Sequence, residues 1–266
     1  MKIIVEQNLD RMALGLTSSF AMIPDCHAAF WDSSTKPSMD MFDEFKPDLV
    51  FVSSDQLKDE AFAIAASRYP NSPVISVGDF GDSFVTPILA INNTSERDVP
   101  SIIFEGGVIL GKIGKPQYDQ SLSSDVLCLT ENVLPTEENR NILQFLSSSY
   151  NTKIFGPVNF NVVSYLGIVS DQERATALAS TKVFVDLGSE SRYDALWLGK
   201  HVVEASSSIL ELKNSIDNLI QKEENVIGKI RVKNKTYFDL CAQILSFLGM
   251  NQPASFLMNK KGEALA

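Results

Sequence analysis

The chain alternates short apolar runs with amphipathic helical patterns, and this alternation restricts its fold more than any other feature. In the first half, the apolar runs predict the strands Lys2–Val5, Ala28–Trp31, Leu49–Val52, Val74–Val77 and Ile88–Ile91. One helical pattern runs from Asp55 to Arg68 and places Phe62, Ile64 and Ala65 on a common face. Strands that alternate with helices build parallel sheets with helices on both faces.

A second unit of the same kind begins near Asp125. Its predicted strands are Val126–Leu129, Lys153–Phe155, Val162–Ile168, Val183–Val185 and His201–Val203. Its predicted helices are Glu137–Leu146, Gln172–Ala179, Ile209–Gln221 and Thr236–Leu248. The polar stretch 116–124 reads as a linker. We therefore expect an α/β protein with two Rossmann-like doubly wound domains, residues 1–120 and 121–266, facing each other across a cleft.

Charge and composition narrow the classes of function. Residues 1–120 hold 9 Lys or Arg against 17 Asp or Glu, and the remainder holds 14 against 16. Such an acidic first half is unlike a general nucleic-acid binder. No run of eighteen apolar residues predicts a membrane span. Three cysteines without pairing or metal spacing (Cys26, Cys128 and Cys241) are typical of buried thiols in a cytoplasmic protein, and no metal site is expected.

The segment from Thr181 to Glu204 carries the clearest functional signal. An apolar strand ends in the polar loop 188–191, a helical stretch follows to Gly199, and a second strand begins at His201. A loop at a strand's carboxyl end that leads into a helix amino terminus offers N–H groups and the helix dipole to an anion. The sequence therefore predicts a phosphate site at Gly188, Ser189, Glu190, Ser191 and Arg192, although an ordinary helix cap fits the same residues.

Three segments of the second half resemble the nucleotide-sugar-binding domain of GT-B glycosyltransferases, notably glycosyltransferase family 1 and its spore-maturation-type relatives. They read DVLCLTENVLPTEENRNILQFL, IFGPVNFNVVSYLGIVSDQERATALASTKVFVDL and KNKTYFDLCAQILSFLGM. The resemblance covers residues 125–250, and Lys235 replaces a histidine usual in the third segment. The first half shares only the architecture with this family.

The resemblance implies a donor site. The family's donor loop has two acidic residues eight apart, the second five before a glycine, and Asp186, Asp194 and Gly199 have this spacing with Asp in place of Glu. Asp194 would then bind the ribose, Ser189 and Ser191 the diphosphate, and Arg192 would neutralise it. The resemblance also implies that the backbone at Ile168 and Val169 contacts the nucleobase. Thr130, Glu131 and Asn132 follow the second domain's first strand and face the same rim, although simple turn chemistry also accounts for them.

A catalytic base is needed if the transfer inverts the sugar's configuration, because a carboxylate or imidazole must deprotonate the acceptor hydroxyl. The candidates are Asp10 after the first strand, Asp25 and His27 before the second strand, and Glu105. His27 and Glu105 also have a purely structural interpretation, which is a hairpin turn in the case of Glu105.

Alternating cations form a further pattern. Lys229, Arg231, Lys233 and Lys235 would share one face of an extended segment. They predict either a strip that follows a phosphate backbone or an edge strand protected by lysines.

These observations predict a glycosyltransferase that uses a nucleoside-diphosphate sugar and needs no cofactor or metal. The acceptor could be a glycan, a protein, a small molecule or a hydroxymethylated DNA base, the last giving a DNA-modifying enzyme. A nucleotide-sugar 2-epimerase and a non-catalytic nucleotide-sugar-binding or scaffold protein are alternatives. A dehydrogenase is disfavoured because no G-x-G-x-x-G follows a strand. The oligomeric state is not predicted.

Overall fold

The computed structural model describes the chain except residues 80, 93–98, 105, 111–115, 132, 190, 206–207, 223–224, 226–231, 234 and 266. The chain divides into two compact units. The first comprises Met1–Gly111 together with Tyr237–Ala266, and the second comprises Lys112–Thr236.

The first unit is built on a parallel sheet. Its strands are β1 (Lys2–Glu6), β2 (His27–Trp31), β3 (Leu49–Ser53), β4 (Val74–Val77), β5 (Leu89–Ile91) and β6 (Ser101–Ile102). They pair in the order β2-β1-β3-β4-β5-β6. The helices of the first half are α1 (Asp10–Phe20), α2 (Ser38–Phe45) and α3 (Glu60–Arg68). The predicted alternation is confirmed.

The central strands are mostly apolar because both faces of this sheet are covered. Ile3 and Val5 of β1 belong to a core cluster with α1, whereas Ile4 belongs to a separate cluster with α2 and α3. The predicted helix from Asp55 is wrong at its start: Asp59 accepts a hydrogen bond from the N–H of Phe62 and caps α3. Ile64 is 48% exposed because it lies off the face that buries Phe62.

The second unit is also built on a parallel sheet. Its strands are β7 (Ser124–Leu129), β8 (Thr152–Phe155), β9 (Tyr165–Gly167), β10 (Thr181–Asp186) and β11 (His201–Glu204). They pair in the order β11-β10-β7-β8-β9. Its helices are α4 (Glu137–Ser149), α5 (Asp171–Ser180), α6 (Arg192–Trp197) and α7 (Ile209–Leu219). The chain moves from β7 to β8 and β9 on one side and then returns to β10 on the other. The neighbours β7 and β10 therefore form the topological switch point, where ligands of open α/β sheets bind.

The two last helices, α8 (Tyr237–Phe247) and α9 (Asn251–Leu265), pack in the first unit. The sequence predicts residues 237–266 in the second domain and does not predict α9. The reason for the difference is packing: α8 contributes Tyr237, Leu240 and Cys241 to the core cluster that contains α1. Gly15 of α1 leaves room for the ring of Tyr237, since a Cβ at position 15 would lie 2.4 Å from its atoms.

No helix in the described part of the chain is long and apolar enough to cross a membrane. The three cysteines are free thiols, and Cys128 and Cys241 are buried.

Candidate functional site at the carboxyl edge of the second sheet

Asp186, the last residue of β10, organises the loop that the sequence predicts to bind phosphate. Its Oδ1 accepts hydrogen bonds from the N–H groups of Gly188 (3.0 Å) and Ser189 (2.7 Å). Gly188 has φ +95°, which a side chain would disfavour. Burial raises the pKa of the Asp186 carboxyl, and these N–H bonds act against the rise. A carboxylate of the protein therefore accepts both of these N–H groups, and the predicted phosphate contact of the loop stays a prediction.

Arg192, the first residue of α6, lies beside two carboxylates without hydrogen-bonding either. Its Nη1 is 3.9 Å from Asp186 Oδ2 and 3.8 Å from Glu204 Oε1. Its Nη2 donates to the hydroxyl of Tyr193 at 3.3 Å, and the guanidinium lies over that ring. The side chain is 40% exposed. The guanidinium is thus held in place on one side and open to solvent on another.

A polar cavity of about 390 Å³ lies next to this guanidinium. Its lining comprises Glu138, Asn139, Ile142, Asp186, Leu187, Gly188, Arg192, Glu204 and Ala205. Three of these side chains are carboxylates and one is a guanidinium. The described lining is therefore acidic on balance, and Arg192 supplies its positive charge.

Arg174 of α5 forms a buried network that the sequence does not predict. Its Nη1 donates to Asp194 Oδ2 (3.0 Å) and to Ser191 Oγ (3.1 Å). Asp194 is fully buried, whereas the resemblance predicts that it binds a ribose. Ribose binding by Asp194 stays a prediction, and the structure shows an arginine as its partner. Only the burial of an arginine on α5 could have revealed this pair, and a single sequence does not show burial.

Glu131 extends the network to the surface. It follows β7, so it lies at the switch point beside the end of β10. Its Oε2 accepts a hydrogen bond from Ser191 Oγ at 3.1 Å and lies 3.8 Å from Arg174 Nη1. The side chain is 40% exposed. Glu131 therefore brings a partly open carboxylate to the edge that carries the predicted loop.

Thr130 has a structural role. It is fully buried, its hydroxyl donates to Phe155 O at 3.3 Å, and the same hydroxyl accepts from the N–H of Val158 at 3.3 Å. A Cβ on Gly156 would lie 2.5 Å from this hydroxyl oxygen, so the glycine allows the close approach. These contacts correct the expectation that the Thr130 side chain faces a ligand. The predicted positions Asn132 and Glu190 lie outside the described residues.

Ile168 and Val169 follow β9 and lie at the same carboxyl edge as Asp186. Ile168 is 78% exposed, and Val169 packs against a buried apolar cluster of this unit. Their positions are compatible with the predicted contact between backbone and nucleobase, which stays a prediction.

The candidate bases lie on opposite edges of the first sheet. Asp10 follows β1 at the carboxyl edge, is exposed, and has φ +50°. Asp25 and His27 lie at the amino edge, where the ammonium group of Met1 donates to the Asp25 carbonyl at 2.8 Å. All strands of this sheet run in parallel, so the structure separates these two candidates from Asp10. Glu105 lies outside the described residues.

The predicted cationic strip is not extended where the structure describes it. The N–H of Lys235 donates to the carbonyl of Val232 at 2.9 Å, which closes a turn, and Val232 is buried. Lys233 and Lys235 are exposed, and Lys229 and Arg231 lie outside the described residues. The alternating pattern fails here because a turn does not keep alternate side chains on one face.

In the described ranges no group of three or more His, Cys, Asp or Glu side chains is arranged to hold a metal ion.

The two Rossmann-like units define the chain as an α/β protein with the GT-B fold. No protein-family model and no curated protein matches it. It is similar to the solved structure of Anabaena Alr3699/HepE in complex with UDP, with a TM-score of 0.61 and 12% identity over 94% of this chain and 100% of that one. It is also similar to S. aureus MnaA with UDP, with a TM-score of 0.60 and 12% identity over 94% and 97% of the two chains. A third similar structure is UDP-GlcNAc 2-epimerase from Methanocaldococcus jannaschii, with a TM-score of 0.54 and 11% identity over 92% and 99%. At these identities the likeness establishes the fold.

Proposed function

We propose that the second unit binds a nucleoside-diphosphate sugar at the carboxyl edge of its sheet and that the protein transfers this sugar to an acceptor hydroxyl. The observation that carries the proposal is the arrangement at the switch point between β7 and β10. There the loop from Gly188 leads to Arg192, whose side chain is 40% exposed, and Ser191 of the same loop donates a hydrogen bond to the Glu131 carboxylate. Structures of similar fold are described as complexes with UDP and with UDP-glucose, which supports this class of ligand.

The proposal assigns the diphosphate to Arg192 and the amino terminus of α6. Ser191 makes no side-chain capping bond there, since its hydroxyl interacts with Glu131 and Arg174. A phosphate can replace Glu204 beside Arg192, because the Glu204 side chain is 82% exposed and returns to water at little cost. A guanidinium that donates two parallel hydrogen bonds is well matched to phosphate.

Among the described candidate bases, we assign the role to Asp10, because it lies at the carboxyl edge of its own sheet, where ligands of open α/β sheets bind. In the proposed step it takes the proton of the acceptor hydroxyl, whose oxygen attacks the anomeric carbon. The bond from that carbon to the phosphate oxygen breaks, and the nucleoside diphosphate leaves with the electron pair. The proposal requires no resident cofactor, since the donor carries the transferred group.

Thermal-shift measurements with UDP, GDP, ADP, CDP and TDP test the binding. At least one of them should raise the melting temperature of the wild-type protein. Arg192→Ala should abolish the rise, whereas Arg140→Ala should keep it, because Arg140 pairs with the exposed Glu137 and is not among the residues that line the cavity. The proposal fails if none of the five nucleotides stabilises the wild type.

Turnover assays then separate transfer from its alternatives. We expect release of nucleoside diphosphate only when an acceptor is present, tested with glycans, proteins, small hydroxylated molecules and duplexes carrying hydroxymethylated bases. Asp10→Asn should lose this release while keeping nucleotide binding. Several similar structures are described as UDP-GlcNAc 2-epimerases, so the second candidate is epimerisation. A C2 epimer of the donor, formed without an acceptor, would favour it, and binding without either product would favour a scaffold.

A further inference from the structure

Glu131 presents a carboxylate whose two oxygens have different surroundings. Oε2 accepts a hydrogen bond from Ser191 Oγ and lies 3.8 Å from Arg174 Nη1. Within the described part of the chain, no hydrogen bond to Oε1 is present. A side chain that is held through one oxygen and 40% exposed has a defined orientation and still offers an acceptor to a ligand.

The two residues that contact this carboxylate, Arg174 and Ser191, are themselves held by buried hydrogen bonds. Arg174 has 6% of its side chain exposed, and among the described residues its hydrogen bonds both come from Nη1, to Asp194 and to Ser191. Ser191 is buried and connects the guanidinium to Glu131. A guanidinium has five N–H donors, so this one retains donor capacity beside the Glu131 carboxylate.

The charges of the network indicate which chemical group would bind. Two carboxylates, Glu131 and Asp194, surround a single guanidinium, so the network carries one net negative charge. A phosphate would be repelled there, whereas a hydroxyl would be accepted, because it can donate to a carboxylate and accept from a guanidinium. Adjacent hydroxyls on a sugar ring are the groups of a nucleoside-diphosphate sugar that meet this requirement.

We propose that Glu131 binds the adjacent hydroxyls of the ligand's sugar ring and that Arg174 and Ser191 are its positioning residues. This inference rests on the proposed function and adds to it a residue for recognition of the sugar. It gives Glu131 the role that the resemblance assigns to Asp194, whose carboxylate is fully buried against Arg174. The ring is either the ribose or the transferred sugar, since both carry the same chemistry.

Calorimetric titration with matched deoxy ligands tests this inference. The probes are UDP against 2′-deoxy-UDP, and UDP-glucose against UDP-2-deoxyglucose, with uridine replaced by whichever base the thermal-shift panel selects. For one of these pairs the wild type should bind the hydroxylated probe about 10- to 100-fold more tightly, the range for a hydrogen bond to a charged group. The pair that shows the preference identifies the ring.

Variants assign the preference to Glu131. Glu131→Ala should reduce the ratio of affinities to near one, because the removed carboxylate no longer distinguishes the two probes. Asp125→Ala is the matched control and should keep the wild-type ratio, since Asp125 lies near the start of β7, whereas Glu131 follows its end, and Asp125 pairs with Lys182. Ser191→Ala should lower the ratio without removing a charge, and a residue of merely structural importance would not change it.

The outcomes separate the two proposals. If the probes bind but the wild type does not distinguish them, or if Glu131→Ala keeps the wild-type ratio, the assignment of Glu131 is overturned while nucleotide binding stands. If no probe binds the wild type, the proposed function is refuted, and the role of Glu131 is refuted with it.

Discussion

Replacing Arg174 by methionine should strongly destabilise the second unit. The guanidinium lies 3.0 Å from the carboxylate of Asp194, which has no exposed surface, and also donates to Ser191. Methionine fills a similar volume but carries neither charge nor donors. The variant therefore leaves the Asp194 carboxylate buried without the Arg174 cation. Removing one partner of a buried ion pair lowers the free energy of unfolding more than replacing both partners does.

The size of the effect follows from the burial of both partners. Removing one member of a buried pair costs about 3–5 kcal/mol. For a unit of this size, each kcal/mol shifts the melting temperature by about 3–5 °C, so we expect a decrease of about 10–20 °C. Replacing both partners, with Arg174→Met and Asp194→Leu together, should recover most of the loss, because apolar residues often replace a buried pair at little net cost.

The chain's two tryptophans allow the second unit to be followed alone. Trp31 lies in β2 of the first unit and Trp197 in α6 of the second. In a Trp31→Phe background, Trp197 fluorescence during heating or urea titration reports the unit that contains Arg174. Arg140→Met is the control, since Arg140 pairs with Glu137 at 3.8 Å on the surface and should contribute less than about 1 kcal/mol.

Two results would refute the reasoning. The first is an Arg174→Met variant within about 1 kcal/mol of its parent, which would mean that the Asp194 carboxylate does not need its cation. The second is a double variant less stable than Arg174→Met alone, which would mean that packing rather than charge dominates at this position.

Two further predictions concern a close contact and a buried carboxylate. Gly15→Ala should destabilise the first unit despite the higher helix propensity of alanine, because the new Cβ would lie 2.4 Å from the Tyr237 ring. In the control variant, Gly262→Ala in α9, the Cβ meets no atom within 4 Å, so this variant should gain up to about 1 kcal/mol of stability. Equal melting temperatures for the two variants would contradict this prediction. For Asp186, burial raises the folded-state pKa, so the contribution of this group to stability is present below the unfolded pKa of about 4 and is lost as pH rises through the folded pKa. Asp186→Asn keeps an oxygen acceptor for the N–H of Ser189 but does not titrate. The melting temperature of this variant minus that of the wild type should therefore increase as the pH rises from about 3.5 to about 7. A difference that stays constant over this range would contradict the raised pKa.

The sequence predicts local structure at this site better than it predicts contacts. The strand that ends at Asp186, the loop at Gly188 and the helix that follows are all expected from apolar runs and turn residues within about twenty positions. The partners of these groups are not expected. Asp186 accepts from the loop's own N–H groups, and Asp194 is buried against Arg174. The same spacing of acidic residues is compatible with ligand contacts and with internal ones, because spacing does not report burial.

By itself the sequence determines that this chain forms two parallel β-sheets covered by helices. Runs of Val, Ile, Leu and Phe are stable as strands only when both sheet faces are covered. Each such run consists of a few consecutive residues, so it can be recognised in the sequence alone. Only the tertiary structure decides where the last two helices pack and which charges meet. The contact of Gly15 with Tyr237 and the network of Glu131, Ser191 and Arg174 each join separate elements of the fold. Their physical basis is the fit of shapes and the pairing of buried charges, and both arise only once the elements pack together.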